Sequence, residues 1–350
     1  MKRRTFLKLA TATTMSTLAA PYVHAQDKKF AGITLRFGGW GGLYDETIQK
    51  CVAAPLEERT GLKVEITAGT QSADLVKLVA NKENPPFDVY QADSAYMVEA
   101  LKADLIQKVT EVEVPNIKRI LPGFHEYGEY GVPYSIFTYI PIYNSQLVEK
   151  PLTTYTDITR PDLKGRLALP VATFDTWNLY LLGLAEENGG SISNMEPAYT
   201  LLEQAKSNIL ALAQSTVAMV QMFENEEATA GVISDARGHE LRSKGKPIVS
   251  VYSPLGIYGA TSYMNVVKNA QHPEAAFAFL NQMLSDEGML GLPRTLRLGV
   301  TTDVKLPDDI AKDLTFNSPE RVALKKKVDW EKWMADRGAR IERINKILRG

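Results

Sequence analysis

The chain has 350 residues, which is long for one hydrophobic core and suits two domains. Its 40 basic and 41 acidic residues, with 45% hydrophobic residues, are typical of a globular protein and provide no polybasic signature for nucleic acid or anionic membranes. A single cysteine, Cys51, excludes an internal disulfide, and no run of 18 apolar residues predicts a transmembrane helix.

The first 25 residues have the pattern of an export signal. Lys2 and two arginines precede an apolar stretch diluted by threonine and serine, and residues 23–25, VHA, form a small-x-small cleavage site. The run RRTFLK at 3–8 is similar to the twin-arginine signal. We therefore predict a twin-arginine signal peptide over 1–25, cleavage between Ala25 and Gln26, and a periplasmic protein. Without this segment the net charge is −5.

The first third of the chain alternates strand and helix with short links. GITLRFGGW predicts a strand, and a helix follows from about Asp45 to Arg59, with Gly61 as its C-cap. The next predicted elements are the strand LKVEITAG, the helix ADLVKLVANKE, the strand FDVYQAD and the helix SAYMVEALKAD, which starts near Ser94. This alternation predicts an α/β domain with a mostly parallel sheet.

An extended aromatic segment, YGVPYSIFTYIPIYN, is predicted to lead into a second domain. The elements predicted after it are a strand ending in RLALP, the helices FDTWNLYLLGLAEENGG and MEPAYTLLEQAKSNI, the strand TAGVISD, the helix ARGHELRSKG, the strands PIVSVYSP and YGATSYMNVVKN, and the helix HPEAAFAFLNQMLSD. The charge-rich tail from Ser318 to Leu348 is predicted to be a pair of surface helices outside any binding site.

Local motifs for catalysis or cofactor binding do not occur in the sequence. HExxH, GxSxG, the P-loop and GxGxxG are all missing. After the leader the histidines are His125, His239 and His272, far apart in sequence, and Cys51 falls on the apolar face of a predicted helix. The sequence therefore predicts a protein that is not an enzyme and that uses neither a cofactor nor a metal.

Five segments occur in an order that resembles the extracellular solute-binding proteins of ABC importers, within the branch that includes spermidine/putrescine-binding proteins. The likeness extends from about Leu35 to Leu292. The segments are WGGLYDETIQKCVAAPLEERTGLKVEI, PFDVYQADSAYMVEALKADLIQKV, YGVPYSIFTYIPIYN, TDITRPDLKGRLALP and NAQHPEAAFAFLNQML.

The resemblance implies a two-lobed type II periplasmic-binding-protein fold. Each lobe is then an α/β unit, a mostly parallel sheet flanked by helices, with the ligand cleft between the lobes. We expect the first lobe to comprise 26–135 plus about 258–305, and the second 136–257 plus about 306–350. The implied partners of this monomer are a small-molecule ligand and an ABC permease. The alternatives are a sensor that uses the same fold without a transporter and an exported enzyme that uses the same cleft.

In such a fold, ligands lie beyond the carboxyl ends of the strands. A tryptophan there can wall the ligand, and glycine lets backbone approach it. The candidates are Trp40, Gly41, Tyr44, Ser94, Tyr96 and Tyr134 from the first half, and Asp175, Trp177, Asp235, Arg237, Tyr258 and Thr261 from the second. Each has a structural alternative: helix capping for the serine and aspartates, core packing for the aromatics and solvation for the arginine.

The ligand class stays open between three chemistries. By resemblance, the residues that match polyamine binding are Trp40, Tyr44, Ser94, Tyr96 and Asp175, but GVISD lacks an aromatic and GIYGATSYMNVV lacks the tryptophan and aspartate expected there. An unpaired buried ammonium is costly, which disfavours a polyamine. Asp235 with Arg237 suits a zwitterion such as an amino-acid derivative or opine, and the glycine loop with Arg237 suits a carboxylate or phosphonate. Ferric iron is disfavoured because the iron-binding branch of the similar family uses an adjacent tyrosine pair, and none occurs in this sequence.

Overall fold

The computed structural model describes residues 28–316 and 318–349, with the side chains of Asp175 and Pro319 outside the description. The predicted signal peptide and its cleavage site at Ala25 and Gln26 also lie outside the described residues. The strands are β1 (Thr34–Gly39), β2 (Lys63–Ala68), β3 (Val89–Asp93), β4 (Val132–Asn144), β5 (Leu167–Pro170), β6 (Ile209–Ala213), β7 (Ala230–Ser234), β8 (Ile248–Ser250) and β9 (Gly259–Val266).

Helices flank these strands, and none in the described ranges is both long and apolar enough to cross a bilayer. The α-helices are α1 (Gly42–Ile48), α2 (Ala54–Thr60), α3 (Gln71–Ala80), α4 (Ser94–Lys102), α5 (Asn178–Glu187), α6 (Glu196–Gln204), α7 (Thr216–Glu224), α8 (Asp235–Ser243), α9 (Pro273–Met283), α10 (Asp286–Leu296), α11 (Asp308–Ala311), α12 (Pro319–Ala323), α13 (Trp330–Ala335) and α14 (Arg337–Arg349). A π-helical turn, Gln49–Ala53, joins α1 to α2.

The strands form two half-sheets in the order β2-β1-β3-β9-β4-β7-β5-β6, with β8 on β4. Strand β1 is parallel to β2 and β3, while β9 runs antiparallel to β3. Strand β5 is parallel to β6 and β7. The predicted α/β fold is therefore confirmed. The described strands combine these parallel pairs with antiparallel ones, which join β9 to β3 and β4, and join β7 and β8 to β4.

Strand β4 is shared by both lobes. Its first part, up to Thr138, pairs antiparallel with β9, and its second part, from Tyr139, pairs with β7. The extended aromatic segment thus passes from one half-sheet to the other, as its sequence predicted. We use first lobe for the side of β1, β2, β3 and β9, and second lobe for the side of β5 to β8.

Each half-sheet has its own hydrophobic core. The first-lobe core gathers around Phe37, Met264 and Phe279, and the second-lobe core around Leu169 and Ile233. A smaller interlobe cluster joins them, with the members Val98, Leu179, Leu182, Tyr258, Ala260, Trp330 and Trp333. Residues after 306 contribute to all three groups, and the assignment of residue ranges to lobes stays a prediction.

The structure differs from the sequence prediction at two places, a helix start and a strand that was not predicted. The first helix begins at Gly42 rather than about Asp45, because the glycine loop turns directly into helix after Gly41 at φ 85°. Strand β6 was not predicted: its sequence, ILALA, is rich in alanine and leucine, which favour helix, and its edge position beside β5 overrides that preference.

Cys51 is half-buried in the π-helical turn, and burial raises the pKa of its thiol.

An ion pair in the first lobe holds β1 against the start of β3. Asp88 is fully buried and accepts from Arg36 Nε at 3.0 Å, Arg36 NH2 at 2.8 Å and the Arg36 backbone N–H at 2.9 Å. The Gln271 N–H also donates to it at 3.0 Å. Burial opposes ionisation of the Asp88 carboxyl, but the Arg36 hydrogen bonds outweigh it and the pKa is lowered.

We expect Asp88→Asn to lower the free energy of unfolding by about 3 kcal/mol at pH 7, because it leaves the Arg36 guanidinium without its counter-charge. Asp162→Asn, at the exposed Arg160 pair, is the matched control and should cost at most about 1 kcal/mol. The Asp88 contribution is present above the unfolded pKa of about 4 and is lost as pH falls through the lower folded pKa. Urea unfolding at pH 7 and pH 3 measures the free energy of unfolding of each variant and its pH dependence. Equal losses of free energy in Asp88→Asn and Asp162→Asn would contradict this account.

Candidate ligand-binding cleft

A cleft lies between the lobes at the carboxyl ends of β1, β3, β5 and β7. It contains two recesses that share Trp40, Phe137 and Tyr139. The aromatic recess, about 490 Å³, is lined by Trp40, Gly69, Thr70, Gln71, Ser72, Asp93, Ala95, Tyr96, Phe137, Tyr139, Thr173, Phe174, Thr176, Leu179, Ala260, Trp330, Trp333 and Arg337. The arginine recess, about 710 Å³, is lined by Trp40, Gly41, Gly42, Leu43, Tyr44, Phe137, Tyr139, Thr216, Ser234, Ala236, Arg237, His239, Glu240, Ser243, Arg294, Thr295, Leu296, Arg297 and Leu298.

The loop after β1 holds Trp40 in the cleft wall. The Trp40 backbone N–H donates to Asp45 Oδ1 at 2.9 Å, and its ring lies 4.7 Å from the Tyr44 ring, centroid to centroid. A Cβ at Gly39 would come within 2.4 Å of the same Asp45 carboxylate, so a larger residue there would displace the carboxylate that holds the Trp40 backbone. Trp40 is half-buried and borders both recesses, which is the position a wall residue needs.

Two predicted tyrosines lie beneath this loop rather than across the open cleft. The Tyr44 hydroxyl is 2.6 Å from Gln91 Oε1 and 2.7 Å from the Tyr134 hydroxyl. Tyr44 still borders the arginine recess, but Tyr134 is buried in the first-lobe core. Alternation along β4 explains this: Phe137 and Tyr139 share the face toward the cleft, and the other face packs inward.

The end of β3 brings a buried carboxylate to the aromatic recess. Asp93 accepts from Gln71 Nε2 and from Ser262 Oγ, each at 2.9 Å, and its backbone N–H donates to Gln71 Oε1 at 2.7 Å. Burial raises the pKa of Asp93 to about 6, although both side-chain hydrogen bonds favour the charged form. No described side chain forms an ion pair with it. Asp93 was not among the predicted site residues, although it directly precedes Ser94.

Ser94 and Thr261 link the elements of the first lobe, while Tyr96 faces the recess. Ser94 Oγ donates to Glu126 Oε2 at 3.0 Å and accepts the Thr261 N–H at 3.2 Å. Ser94 and Thr261 are fully buried and line neither recess. Tyr96 is half-buried and lines the aromatic recess. Of these three predicted residues, the structure places only Tyr96 within reach of a ligand.

The predicted residues of the second lobe also separate into some that line the cleft and others that are buried. Arg237 lines the arginine recess, while Asp235 lies buried behind it and accepts the Thr138 N–H at 3.3 Å. Burial raises the pKa of Asp235 to about 6. Trp177 is fully buried in the second-lobe core, and its Nε1 donates to Val171 O at 3.0 Å. Asp175 opens a short 3-10 turn beside the aromatic recess.

Tyr258 is directed away from the cleft. Its hydroxyl donates to Glu186, its ring lies in the interlobe cluster, and Lys326 Nζ sits 5.9 Å from the ring centroid. The neighbouring Ala260 lines the aromatic recess instead. The structure thus places Tyr134, Trp177 and Tyr258 in packing positions, which their size and partly apolar character also suit.

The C-terminal tail supplies part of the wall, which corrects the prediction of a surface helix pair. Trp330 and Trp333 are 7% and 2% exposed and line the aromatic recess together with Arg337. Trp330 and Trp333 are three residues apart, on one side of an otherwise charged helix. The sequence did contain a signal for a docked helix, because two of the chain's four tryptophans occur at this spacing.

Glu126 fastens this tail to the first lobe. It forms an ion pair with Lys325, whose side chain is 6% exposed, and accepts from Trp330 Nε1 at 3.1 Å as well as from Ser94. On the other side, the Arg340 guanidinium lies 3.5 Å from the Trp333 ring centroid and donates to Trp333 O at 2.9 Å. Buried contacts on both sides therefore hold α13 against the cleft.

The described ranges contain no group of three or more His, Cys, Asp and Glu side chains placed to hold a metal ion. The polar groups that reach the cleft are instead carboxylate, guanidinium, amide and hydroxyl groups among aromatic rings. Such a lining suits a polar organic molecule with apolar parts.

We expect Glu126→Gln to lower the free energy of unfolding by about 2 kcal/mol or more, because Lys325 stays buried without a counter-charge. It should also weaken the docking of α13, which changes tryptophan fluorescence before global unfolding. Glu129→Gln, at the exposed Lys108 pair, is the control and should cost at most about 1 kcal/mol. Denaturant titration with fluorescence and far-UV circular dichroism tests this. Coincident transitions and a loss no larger than the control would contradict it.

Comparison with known proteins identifies the family. A family model described as bacterial extracellular solute-binding protein matches residues 52–317. An ABC transporter structure from Clostridium perfringens ATCC 13124 is 23% identical, with a TM-score of 0.77 over 90% of this chain and 99% of that one. The PBP AgtB from A. tumefaciens R10, solved with agropinic acid, is 22% identical, with a TM-score of 0.69 over 91% and 99%.

The spermidine/putrescine ABC transporter substrate-binding protein PotD from Streptococcus pneumoniae is 18% identical, with a TM-score of 0.73 over 90% of this chain and 99% of that one. These structures share the fold at low identity, whereas the family model spans most of the sequence. The chain therefore belongs to the bacterial extracellular solute-binding protein family.

Proposed function

We propose that this protein is the periplasmic solute-binding component of an ABC importer and that it captures a small polar organic solute bearing an amine. The observation that carries the proposal is Asp93, a buried carboxylate at the floor of an aromatic recess between two lobes. A ligand ammonium would supply the counter-charge that no described side chain provides. The rings of Trp40, Tyr96 and Trp330 would cover its methylene groups.

Lobe closure would couple capture to delivery. Strand β4 passes between the lobes at Thr138, and the chain returns at Tyr258, where Thr138 Oγ1 donates to Tyr258 O at 2.6 Å. Hinge motions are absorbed by a few such residues, and a ligand that contacts both lobes stabilises the closed form. A permease in the inner membrane would recognise that form of the monomeric binding protein.

A thermal-shift screen of the purified protein tests the proposal. The probe classes are alkylamines, polyamines, amino acids, opines, carboxylates and phosphonates. A ligand at 100 times its Kd adds about 2.7 kcal/mol of stability. Stabilisation by an amine-bearing class, and loss of its uptake when the gene is deleted, are expected. Binding without any change in uptake would instead indicate a sensor, and stabilisation by amine-free anions alone would overturn the amine assignment.

Trp40→Ala is expected to weaken binding of an amine ligand roughly tenfold, because it removes the wall shared by both recesses. Trp40→Phe, which keeps an aromatic face, should lose less. Isothermal titration calorimetry measures the affinities, and far-UV circular dichroism checks that both variants fold. Wild-type affinity in Trp40→Ala would exclude this side chain as a ligand contact.

Amine binding is expected to strengthen as pH rises from 5 to 7. The pKa of Asp93 is about 6 in the unliganded protein, so a bound ammonium must displace a proton below that pH. Without ligand the sign is opposite: the stability from neutral Asp93 is complete below the unfolded pKa of about 4 and is lost as pH rises through about 6. This loss is about 3 kcal/mol at most.

Asp93→Asn should remove the Asp93 contribution to both pH dependences, since the amide does not titrate. Asp235 has a similar pKa and remains in both proteins, so the difference between them isolates Asp93. Calorimetry in buffers of different ionisation enthalpy counts the released protons. An unchanged proton count in Asp93→Asn would show that another group binds the amine.

A further inference from the structure

The two recesses of the cleft differ in the charged side chains that line them. Asp93 lies at the aromatic recess, while three arginines and one carboxylate line the arginine recess among the described residues: Arg237, Arg294, Arg297 and Glu240. The other charged residue that lines the aromatic recess, Arg337, begins helix α14 of the tail. A ligand that spans both recesses would therefore meet an acid at one end and a surplus of guanidinium groups at the other.

The arginine recess keeps an excess of positive charge after its ion pairs are taken into account. Arg237 NH1 lies 2.5 Å from Glu240 Oε2, but Glu240 is shared with Lys244 Nζ at 2.9 Å. Arg297 Nε lies 3.3 Å from Asp313 Oδ2, which is also 2.9 Å from His239 Nδ1. Arg294 is exposed and pairs with no carboxylate in the described ranges.

These arginines line one recess from different lobes. Arg237 belongs to α8 of the second lobe, whereas Arg294 and Arg297 lie at the end of α10 in the first lobe. Arg237 and Arg297 keep 34% and 18% of their side chains exposed, so N–H groups remain for a ligand. A guanidinium binds a carboxylate through two parallel hydrogen bonds, and an anion held from both sides would favour closure.

Aromatic side chains lie between the two recesses. Trp40, Phe137 and Tyr139 border both recesses, with Phe137 and Tyr139 rings 6.4 Å apart at an edge-on angle of 70°. Burial raises the pKa of Tyr139, and Arg237 and Asp93 act on it in opposite directions, so this ring lies within the fields of both ends. Methylene or other apolar groups fit between such rings.

We propose that the ligand is an elongated zwitterion, with its ammonium group at Asp93, an apolar spacer past Trp40, and a carboxylate or similar oxyanion among Arg237, Arg294 and Arg297. This rests on the proposed function and narrows its ligand class. A diamine is disfavoured because its second ammonium would lie among the arginines, where like charges repel. A dicarboxylate is disfavoured because its second carboxylate would meet Asp93.

Calorimetry with chain-length series separates these classes. The probes are ω-amino acids with four to eight carbons, the alkylamines and alkanoates of the same length, and the matching diamines. We expect the best ω-amino acid to bind at least tenfold more tightly than either monofunctional probe or the diamine. A diamine that equals or exceeds it would overturn the zwitterion proposal while leaving amine capture intact.

Variants assign the two ends. Arg294→Gln should weaken the ω-amino acid tenfold or more and leave the alkylamine unchanged, whereas Asp93→Asn should weaken both. Lys108→Gln, an exposed cation remote from the cleft lining, is the control and should change neither. Equal loss of both ligands in Arg294→Gln would overturn the anion end. If no amine probe binds the wild-type protein at any length, the amine site of the proposed function fails as well.

Discussion

The cleft depends on one backbone constraint, the change of partner along β4. The partners of β4 change between Thr138 and Tyr139: β9 pairs with the part up to Thr138, whereas β7 and β8 pair with the part from Tyr139 onward. Both half-sheets must therefore diverge at this point, and the side chains on the exposed face of the junction, Phe137 and Tyr139, form the floor between them. The strand ends of both lobes then face the same gap.

Buried charges around this junction fall into two kinds. Asp88 and Glu126 have arginine or lysine partners within the protein, and they fasten β1 to β3 and the tail to the first lobe. Asp93 and Asp235 accept hydrogen bonds from neutral donors in the described part of the chain, and burial raises the pKa of each. The paired carboxylates stabilise the frame, whereas Asp93 borders the cleft and is the one available to an incoming cation.

Much of the first lobe follows from local sequence, and less of the second does. Period-two and period-3.6 patterns identified β1, β2, β3, α3 and α4, whose strands and helices are short and regular. ILALA gave no such signal, because alanine and leucine fit helix and strand alike, and only the place beside β5 decides for strand. The many charged residues of the tail led to the prediction of surface helices. That prediction took no account of Trp330 and Trp333, which dock the tail.

The sequence by itself determined the alternation of elements and the loops that border the cleft, and its resemblance to a known family indicated the two-lobed fold class. It identified Trp40, Tyr96 and Arg237, which do border the cleft. Only the tertiary structure decided that Trp177 turns into the core while Trp333, far along the chain, reaches the recess. The reason is physical: local patterns specify which face of an element is apolar, but which element covers that face is set by packing between segments distant in sequence.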